Sequence, residues 1–262
     1  MKKVIGAVFM LGMLGYFLSG CDQLQLNGID LSETATLRVY VSGVPSEFQE
    51  VSFTFSEISA QIGNMWISVM DTLHTVTLPQ WAVGDLIEIG EAVVPAGDYS
   101  QLQLLIERAR VMVGNEIFEV VIPDSSQAGM KLIDEFVIDP GTSFELIIDF
   151  DINRSIISVG PPGNPISYHL RPVMRVIPRA LSGSLSATVT NPENEAVACA
   201  IQNGDTLTTA RVHPQSGAFL LGFLPGGDYT IMVSDQNGAA YQADPVEIIA
   251  GENKDLGEIT LK

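Results

Sequence analysis

The pattern that decides the fold appears twice, as VVPAGDYSQLQLLI at residues 93–106 and as FLPGGDYTIMV at residues 223–233. Pro holds φ at about −65° and suits the first corner of a turn, and Gly can adopt the positive φ that the next corner needs. Tyr then begins a strand, with its ring on the core and its hydroxyl free to bond the backbone, as in a tyrosine corner. The repeat predicts the same β-sandwich edge in each half of the chain.

Alternating runs rich in Val, Ile, Thr and aromatic residues occupy most of the chain from Ala35 onward, separated by Gly, Pro, Asn and Ser. Residues 99–113 also fit a helix, but their front half alternates and follows a Pro-x-Gly turn, which favours a strand. Residues 80–88 (QWAVGDLIE) are the best candidate for a short helical turn. The short strands predict an all-β protein of two antiparallel β-sandwich domains in tandem after a signal peptide.

The sequence divides into four segments at changes of composition. We predict a boundary between the two sandwiches near Pro178 and Ala180, where the linker is only a few residues long. The predicted segments are a lipoprotein signal peptide at 1–20, a lipidated Cys and polar tether at 21–34, a first β-sandwich at 35–178 and a second at 181–262.

The N-terminus has the features of an export signal. Lys2 and Lys3 precede an uncharged apolar stretch at residues 4–17, which is too short to span a bilayer comfortably. It ends in Leu-Ser-Gly-Cys, which resembles the lipobox of bacterial lipoproteins. The resemblance implies that Cys21 is lipidated and anchors the chain in the cell envelope, with the inner or outer membrane left open. The alternative is an ordinary secretory peptide with a chance cysteine.

The charge balance narrows the classes of partner. The net charge of −18 becomes −20 when residues 1–20 are removed, because they contain two lysines and no acidic residue. Such a chain does not bind nucleic acid, which requires clustered Lys and Arg. Anionic lipid headgroups also repel it, so the membrane must be reached through the lipid anchor. An envelope protein or a glycan is the remaining class of partner.

No motif for catalysis or a cofactor stands out. The sequence contains no Gly-x-Ser-x-Gly, His-Glu-x-x-His, phosphate loop or Cys-x-x-Cys. Beyond Cys21 only Cys199 remains, so the mature chain has no intrachain disulfide, and the alternating context of Cys199 predicts a buried, inert thiol. We expect no enzymatic activity, no cofactor and no metal.

The most distinctive polar cluster is Asp149-Phe-Asp-Ile-Asn153. Strand alternation would place Asp149, Asp151 and Asn153 on one face. The stretch begins like a calcium loop but has Arg154 where that loop needs Gly and Gly160 where it needs Glu. We favour an exposed strand face whose carboxylates pair with Arg154, Arg171 or Arg175. A different calcium site with oxygen ligands, or paired carboxylates for glycoside hydrolysis, remains an alternative.

The two tryptophans are candidate ligand-stacking residues. Trp66, within NMWISVM, is predicted to lie in the core. Trp81, between Pro79-Gln80 and Gly84-Asp85, is the better candidate for an exposed binding residue. With Asp149 and Asp151, it completes the set of candidate ligand-binding side chains.

The C-terminal segment resembles the carboxypeptidase-regulatory-like, transthyretin-like sandwich. The resemblance rests on GSLSATV from Gly183, a strand that ends near Gln202, SGAF from Ser216 and LPGGDY from Leu224. It implies a β-sandwich that serves as a spacer or docking platform or, in related starch-binding-like sandwiches, as a sugar binder.

The N-terminal segment resembles an uncharacterised bacterial lipoprotein domain, the domain of unknown function family numbered 4382. The matching pieces are Trp66 with its apolar strand, VPAGDY from Val94, LIIDFDINRS from Leu146 and HLRPVMR from His169. The resemblance implies an exported β-sandwich and no activity. We predict a non-catalytic, lipid-anchored envelope protein that binds or scaffolds. The alternatives are a carbohydrate-binding lipoprotein and a hydrolase with an unrecognised site.

Overall fold

The computed structural model describes residues 25–26, 29–43, 46–80, 84–124, 129–161, 165–192 and 195–262. The described chain is almost entirely β-structure, which confirms the all-β prediction. The elements up to residue 178 are β1 (Gln25–Leu26), β2 (Ile29–Asp30), β3 (Thr34–Gly43), β4 (Glu50–Ile62), β5 (Met65–Met70), β6 (His74–Pro79), β7 (Ile87–Pro95), β8 (Gly97–Val113), β9 (Glu116–Val121), β10 (Met130–Ile138), β11 (Ser143–Phe150), the single helical turn α1 (Ile152–Ser155), β12 (Ile156–Val159), β13 (Ser167–Leu170) and β14 (Met174–Pro178).

A 3-10 turn, Arg179–Leu181, follows β14 and leads into a second set of strands. These are β15 (Ser182–Val189), β16 (Val197–Gln202), β17 (Asp205–Arg211), β18 (Ala218–Pro225), β19 (Gly227–Ser234), β20 (Ala240–Ile248) and β21 (Asn253–Ile259). Since the described strands before and after this turn lie in different sheets, we call residues 34–178 the N-terminal unit and residues 182–262 the C-terminal unit.

The N-terminal unit is built from two facing sheets. The larger has the order β12-β13-β9-β8-β4-β5, with β10 beside β8 and β6 beside β4, and the smaller has the order β14-β11-β3-β7. Their inner faces share one buried core, in which the rings of Phe53 and Phe150 lie 4.5 Å apart between the sheets. Alternation explains this core, because one side of each strand is apolar.

The C-terminal unit repeats this plan at a smaller scale. Its sheets have the orders β18-β15-β21 and β17-β16-β19-β20, and they enclose a separate buried cluster that includes Leu185, Leu221 and Ile231. Most strand pairs in both units are antiparallel, as predicted. The pairs β3–β11, β9–β13 and β15–β21 are parallel, which the sequence analysis did not anticipate.

Both repeated stretches form the predicted corner. The hydroxyl of Tyr99 donates to the carbonyl oxygen of Pro95, and that of Tyr229 donates to the carbonyl oxygen of Pro225. Gly97 and Gly227 begin their strands with φ values of 138° and 146°, which side-chain-bearing residues rarely adopt. The strand predicted over residues 99–113 is likewise confirmed, as part of β8.

The helical turn predicted over residues 80–88 is wrong at its end, where Ile87 and Glu88 already belong to β7 and pair with β3. Ladder pairing with β3 outweighs the weak local helical pattern there. Residues 81–83 of that prediction lie outside the described residues. Among the described residues, no helix is long and apolar enough to cross a membrane.

Candidate functional site

Asp149 lies near the end of β11 and is almost fully buried, with 3% of its surface exposed. Antiparallel pairing with β14 places Arg175 directly opposite. The Nε and Nη2 atoms of Arg175 donate to Oδ2 of Asp149 at 2.9 and 2.7 Å. Burial raises the pKa of Asp149, and the charge of Arg175 opposes that effect without cancelling it.

Asp151 is also buried, at 2% exposure, and caps the N-terminus of α1. Its Oδ1 accepts from the backbone N–H of Arg154 at 3.1 Å, and its Oδ2 accepts from Nε of Arg154 at 2.8 Å. Thr209, on β17 of the C-terminal unit, donates its backbone N–H at 3.1 Å and its hydroxyl at 3.0 Å to the same carboxylate. Asp151 therefore joins the helical turn to a strand 58 residues later.

The two arginines extend these contacts into the C-terminal unit. Nη1 and Nη2 of Arg154 donate to the carbonyl oxygens of Thr206 and Leu207, each at 2.9 Å. Nη2 of Arg175 donates to the carbonyl oxygen of Gly222 at 2.9 Å. We call Asp149, Asp151, Arg154, Arg175 and Thr209 the junction cluster, because together they connect the two units.

The structure confirms two predicted partners, Arg154 and Arg175, and corrects the setting of the carboxylates. Asp149 and Asp151 are not on an exposed strand face. The chain leaves the strand after Phe150, so Asp151 caps α1 and Asn153 lies within that turn. Strand β17, which covers Asp151, comes from a distant part of the chain, and local alternation cannot predict that contact. Among the described residues, no group of three or more His, Cys, Asp and Glu side chains is placed to hold a metal ion.

Trp66 does not lie in the core, contrary to the prediction, and is 38% exposed. It belongs to β5, where Val69 points inward and Trp66 takes the outer face by alternation. Nζ of Lys131 lies 5.5 Å from the centre of its ring. The other two candidates, Trp81 and Cys21, lie outside the described residues.

Cys199 occupies the middle of β16 and is half-buried, so the thiol is less enclosed than predicted. Burial raises its pKa, which keeps the thiol protonated. Its Sγ lies 3.4 Å from the carbonyl oxygen of Met232 on the neighbouring strand. These features agree with an inert thiol.

One family model matches the chain, over residues 34–172, and is described as Domain of unknown function (DUF4382). The chain belongs to this family. The part matched by the DUF4382 model contains Asp149, Asp151 and Arg154, whereas Arg175 and Thr209 come after it. The junction cluster thus combines side chains of the DUF4382 domain with side chains that follow it. No curated protein matches the chain.

Three solved structures show distant likeness. The Bacillus anthracis TIE protein is 14% identical with a TM-score of 0.24, and the match covers 88% of this chain and 34% of that protein. A fimbrial protein from Bacteroides ovatus is 11% identical with a TM-score of 0.22, covering 87% and 50%. The fimbrial anchor protein Mfa2 from Porphyromonas gingivalis is 11% identical with a TM-score of 0.19, covering 80% and 82%.

The DUF4382 chain spans about a third of the length of the first of these structures. With TM-scores this low, none of the three supports a statement about its function.

Sequence reasoning missed Thr209 and Lys131 as parts of possible sites in this DUF4382 protein. Thr209 contacts Asp151 only because β17 lies against α1, and no local pattern signals that approach. Lys131 carried a weak signal, since basic residues are scarce in a chain with 13 Lys and Arg against 31 Asp and Glu. Its contact with Trp66 depends on strand order, which is a tertiary property.

Proposed function

We propose that this protein is a non-catalytic, lipid-anchored protein of the bacterial cell envelope, in which the two β units act together as one binding or scaffolding module. The junction cluster is the main support for the proposal, because its charged side chains form ion pairs and hydrogen bonds with other groups of the protein. Arg154 and Arg175 each bind a carboxylate of the N-terminal unit, and they bind two and one backbone carbonyls of the C-terminal unit, respectively. Such bonds favour a fixed orientation of the two units.

The setting of the carboxylates supports a role without catalysis. A glycosidase needs two carboxyl groups that flank a substrate in a cleft, in environments that separate their pKa values. Asp149 and Asp151 are instead buried, and each receives hydrogen bonds from an arginine. In this arrangement the protein itself encloses both carboxylates and supplies their hydrogen-bond donors.

The features at the N-terminus support the anchored location. The basic start, the apolar stretch at residues 4–17 and the Leu-Ser-Gly-Cys sequence match an export signal with Cys21 as the lipidated residue. The polar tether up to residue 34 would hold the units away from the bilayer. The resemblance of residues 181–262 to carboxypeptidase-regulatory-like sandwiches supports an accessory docking role for the second unit.

Membrane fractionation with radiolabelled palmitate tests the anchor. The full chain should be labelled and sediment with membranes, whereas the Cys21→Ser variant should lose the label and leave the membrane fraction. The matched control is Cys199→Ser, which removes the other thiol and should keep both properties. Equal labelling of the Cys21→Ser variant and the unmodified chain would refute the lipid anchor.

Distance measurements between spin labels test whether the units act as one module. Labels at Glu107→Cys and Lys254→Cys, in a Cys21→Ser, Cys199→Ser background, report one position in each unit. We expect one narrow distance distribution that broadens in the Arg154→Met, Arg175→Met double variant. Arg38→Met, which removes an exposed ion pair within the N-terminal unit, is the control. A broad distribution before any junction substitution would contradict the fixed orientation.

A further inference from the structure

A polar surface with one exposed tryptophan covers part of the outer face of the larger sheet. The strand register places Trp66 beside Gln61 and Gln61 beside Gln101. Lys131 lies beside Gln103, one row away. The sequence neighbours of these glutamines point inward, since Ala60, Ile62, Leu102 and Leu104 are buried. We call Trp66, Gln61, Gln101, Gln103 and Lys131 the amide face.

Two long side chains meet across this face. The strands that carry Trp66 and Lys131 are separated by β4 and β8, which amounts to three strand spacings or about 14 Å. The ammonium group nevertheless lies 5.5 Å from the centre of the indole ring, so both side chains extend toward each other above the glutamines. Nε2 of Gln101 donates to Oε1 of Gln61 beneath them.

The composition of the amide face matches the chemistry of a sugar. An exposed indole ring offers an apolar surface to the C–H groups of a pyranose, and glutamine amides offer both donors and acceptors to its hydroxyls. An indole left in water without a ligand contributes less to stability than one in the core. The neighbouring exposed surface of β4 and β6 carries Ser and Thr instead, as the contact between Thr54 and Thr75 illustrates.

A groove of about 540 Å³ continues from Lys131 along the edge of β10. Its lining includes the apolar side chains of Pro123, Met130 and Pro172 and the exposed cation of Arg171. In this acidic chain six described arginines form ion pairs, namely Arg38, Arg110, Arg154, Arg175, Arg179 and Arg211.

Lys131 and Arg171 have no such carboxylate partner among the described residues, and both border this groove. Arg171, and Lys131 when its ammonium group leaves the indole ring of Trp66, would complement an anionic ligand beside the apolar side chains of the groove.

We propose that the amide face and this groove bind a glycan that contains uronic acid residues. A pyranose ring would stack on Trp66, the glutamines would bond its hydroxyls, and Lys131 and Arg171 would bind carboxylates along the glycan. The inference rests on the proposed function, since it names the ligand of a non-catalytic binding module. The competing structural role is a cation–π contact between Lys131 and Trp66 that only stabilises the sheet surface.

Calorimetric titration with a defined probe tests the proposal. The full chain with Cys21→Ser, in a detergent without sugar groups, is titrated with oligogalacturonate of four residues. The uncharged comparison is a galactose tetrasaccharide, and the polyanion comparison is polyglutamate. We expect saturable binding of oligogalacturonate that exceeds the binding of both comparison probes.

Matched variants assign the binding to the amide face. Trp66→Ala and Lys131→Gln should each weaken oligogalacturonate binding about tenfold or more. Trp66→Tyr, which keeps a ring, should retain most of the affinity and guards against misfolding of the alanine variant. Lys254→Gln, which removes a lysine on β21 of the C-terminal unit, is the control and should bind like the unmodified chain.

The outcomes separate this inference from the proposed function. Absence of saturable binding, unchanged affinity in the folded Trp66→Ala variant, or equally tight binding of polyglutamate would overturn the glycan site. Chromatography of the mixture after titration shows whether the probe has been cleaved, and cleavage would overturn the non-catalytic role. In that case the binding residues would still be those of the amide face.

Discussion

The hydroxyl of Tyr99 donates a hydrogen bond of 2.7 Å to the carbonyl oxygen of Pro95, four residues earlier in the chain. Tyr229 and Pro225 form the same contact at 2.8 Å in the C-terminal unit. Both rings are buried, so each hydroxyl satisfies a backbone acceptor at the edge of a core. The repeated sequence pattern therefore corresponds to a repeated structural device.

Substitution of Tyr99 by Phe should lower the free energy of unfolding by about 0.5–1.5 kcal/mol, because the Pro95 carbonyl loses its donor. Urea denaturation measures the change. Tyr40→Phe is the matched control, since the Tyr40 hydroxyl contacts the side chains of Glu145, at 3.4 Å, and Glu88 rather than a backbone acceptor. That control should change the free energy of unfolding by less than about 0.5 kcal/mol. Equal effects at both positions would contradict the importance of the corner contact.

The stability of the protein should fall in strong alkali because of Tyr99. Burial raises the pKa of this side chain from 10.0 to about 12. Between these pH values the unfolded state loses the phenolic proton while the folded state keeps it. The unfolded state then binds fewer protons, so the free energy of unfolding decreases as the pH rises through this range. Urea titrations at several alkaline pH values should show a smaller decrease in Tyr99→Phe than in the unmodified chain.

Adjacent glycines at the second corner should respond differently to alanine. Gly227 has a φ of 146°, and a Cβ there would lie 3.0 Å from Nε2 of Gln202. Gly227→Ala should therefore destabilise the chain by about 1–3 kcal/mol. Gly226 has no positive φ in this structure, and its nearest Cβ contact, with the carbonyl oxygen of Ile248, is an ordinary 3.6 Å. Gly226→Ala should leave the thermal unfolding midpoint almost unchanged, and similar losses at the two sites would argue against the strained corner.

Substitution of Arg175 should be among the single changes that lower the free energy of unfolding most. Arg175→Met leaves Asp149 buried without a cation, which costs about 3–5 kcal/mol for typical buried pairs. Arg38→Met is the control, because its ion pair with Glu91 is exposed and screened by solvent, so its loss should change the free energy of unfolding far less. The double variant Asp149→Asn, Arg175→Met should be more stable than Arg175→Met alone. Chemical denaturation of the four proteins measures these differences.

The loss in free energy of unfolding caused by Arg175→Met should also depend on pH. Burial raises the pKa of Asp149, and loss of Arg175 removes the charge that opposes this effect. The folded variant can then take up a proton on Asp149 at acidic pH, where the neutral carboxyl tolerates burial. The destabilisation relative to the unmodified chain should therefore be smaller at pH 4 than at pH 7. A pH-independent difference would contradict the buried, ionised state of Asp149.

Cys199 should react slowly with thiol reagents. Burial raises its pKa and shields part of its surface, so at pH 8 less thiolate is present and accessible than in a free cysteine. The reaction of the Cys21→Ser chain with Ellman's reagent should be markedly slower than that of the same chain in denaturant. Rapid reaction of the folded chain would show that the thiol is more open than the structure indicates.

Local sequence patterns predicted much of this protein. Alternation in β8, the Pro-x-Gly-Asp-Tyr corners and the inclusion of Arg154 and Arg175 among the possible partners of Asp149 and Asp151 all followed from residue types. The reason is that strand periodicity, turn geometry and charge attraction act over a few residues or between strands that are adjacent in most arrangements.

The tertiary structure alone decided where the polar side chains lie. In MWISVM, alternation separates Trp66 from Val69, but only packing of β5 against the rest of the sandwich determines which of them faces the core. Asp151 is buried because Thr209 approaches from the other unit. Lys131 contacts Trp66 because the sheet places β10 and β5 only three strand spacings apart, within reach of two long side chains. These contacts join residues far apart in sequence, so their positions follow from chain topology and burial rather than from local pattern.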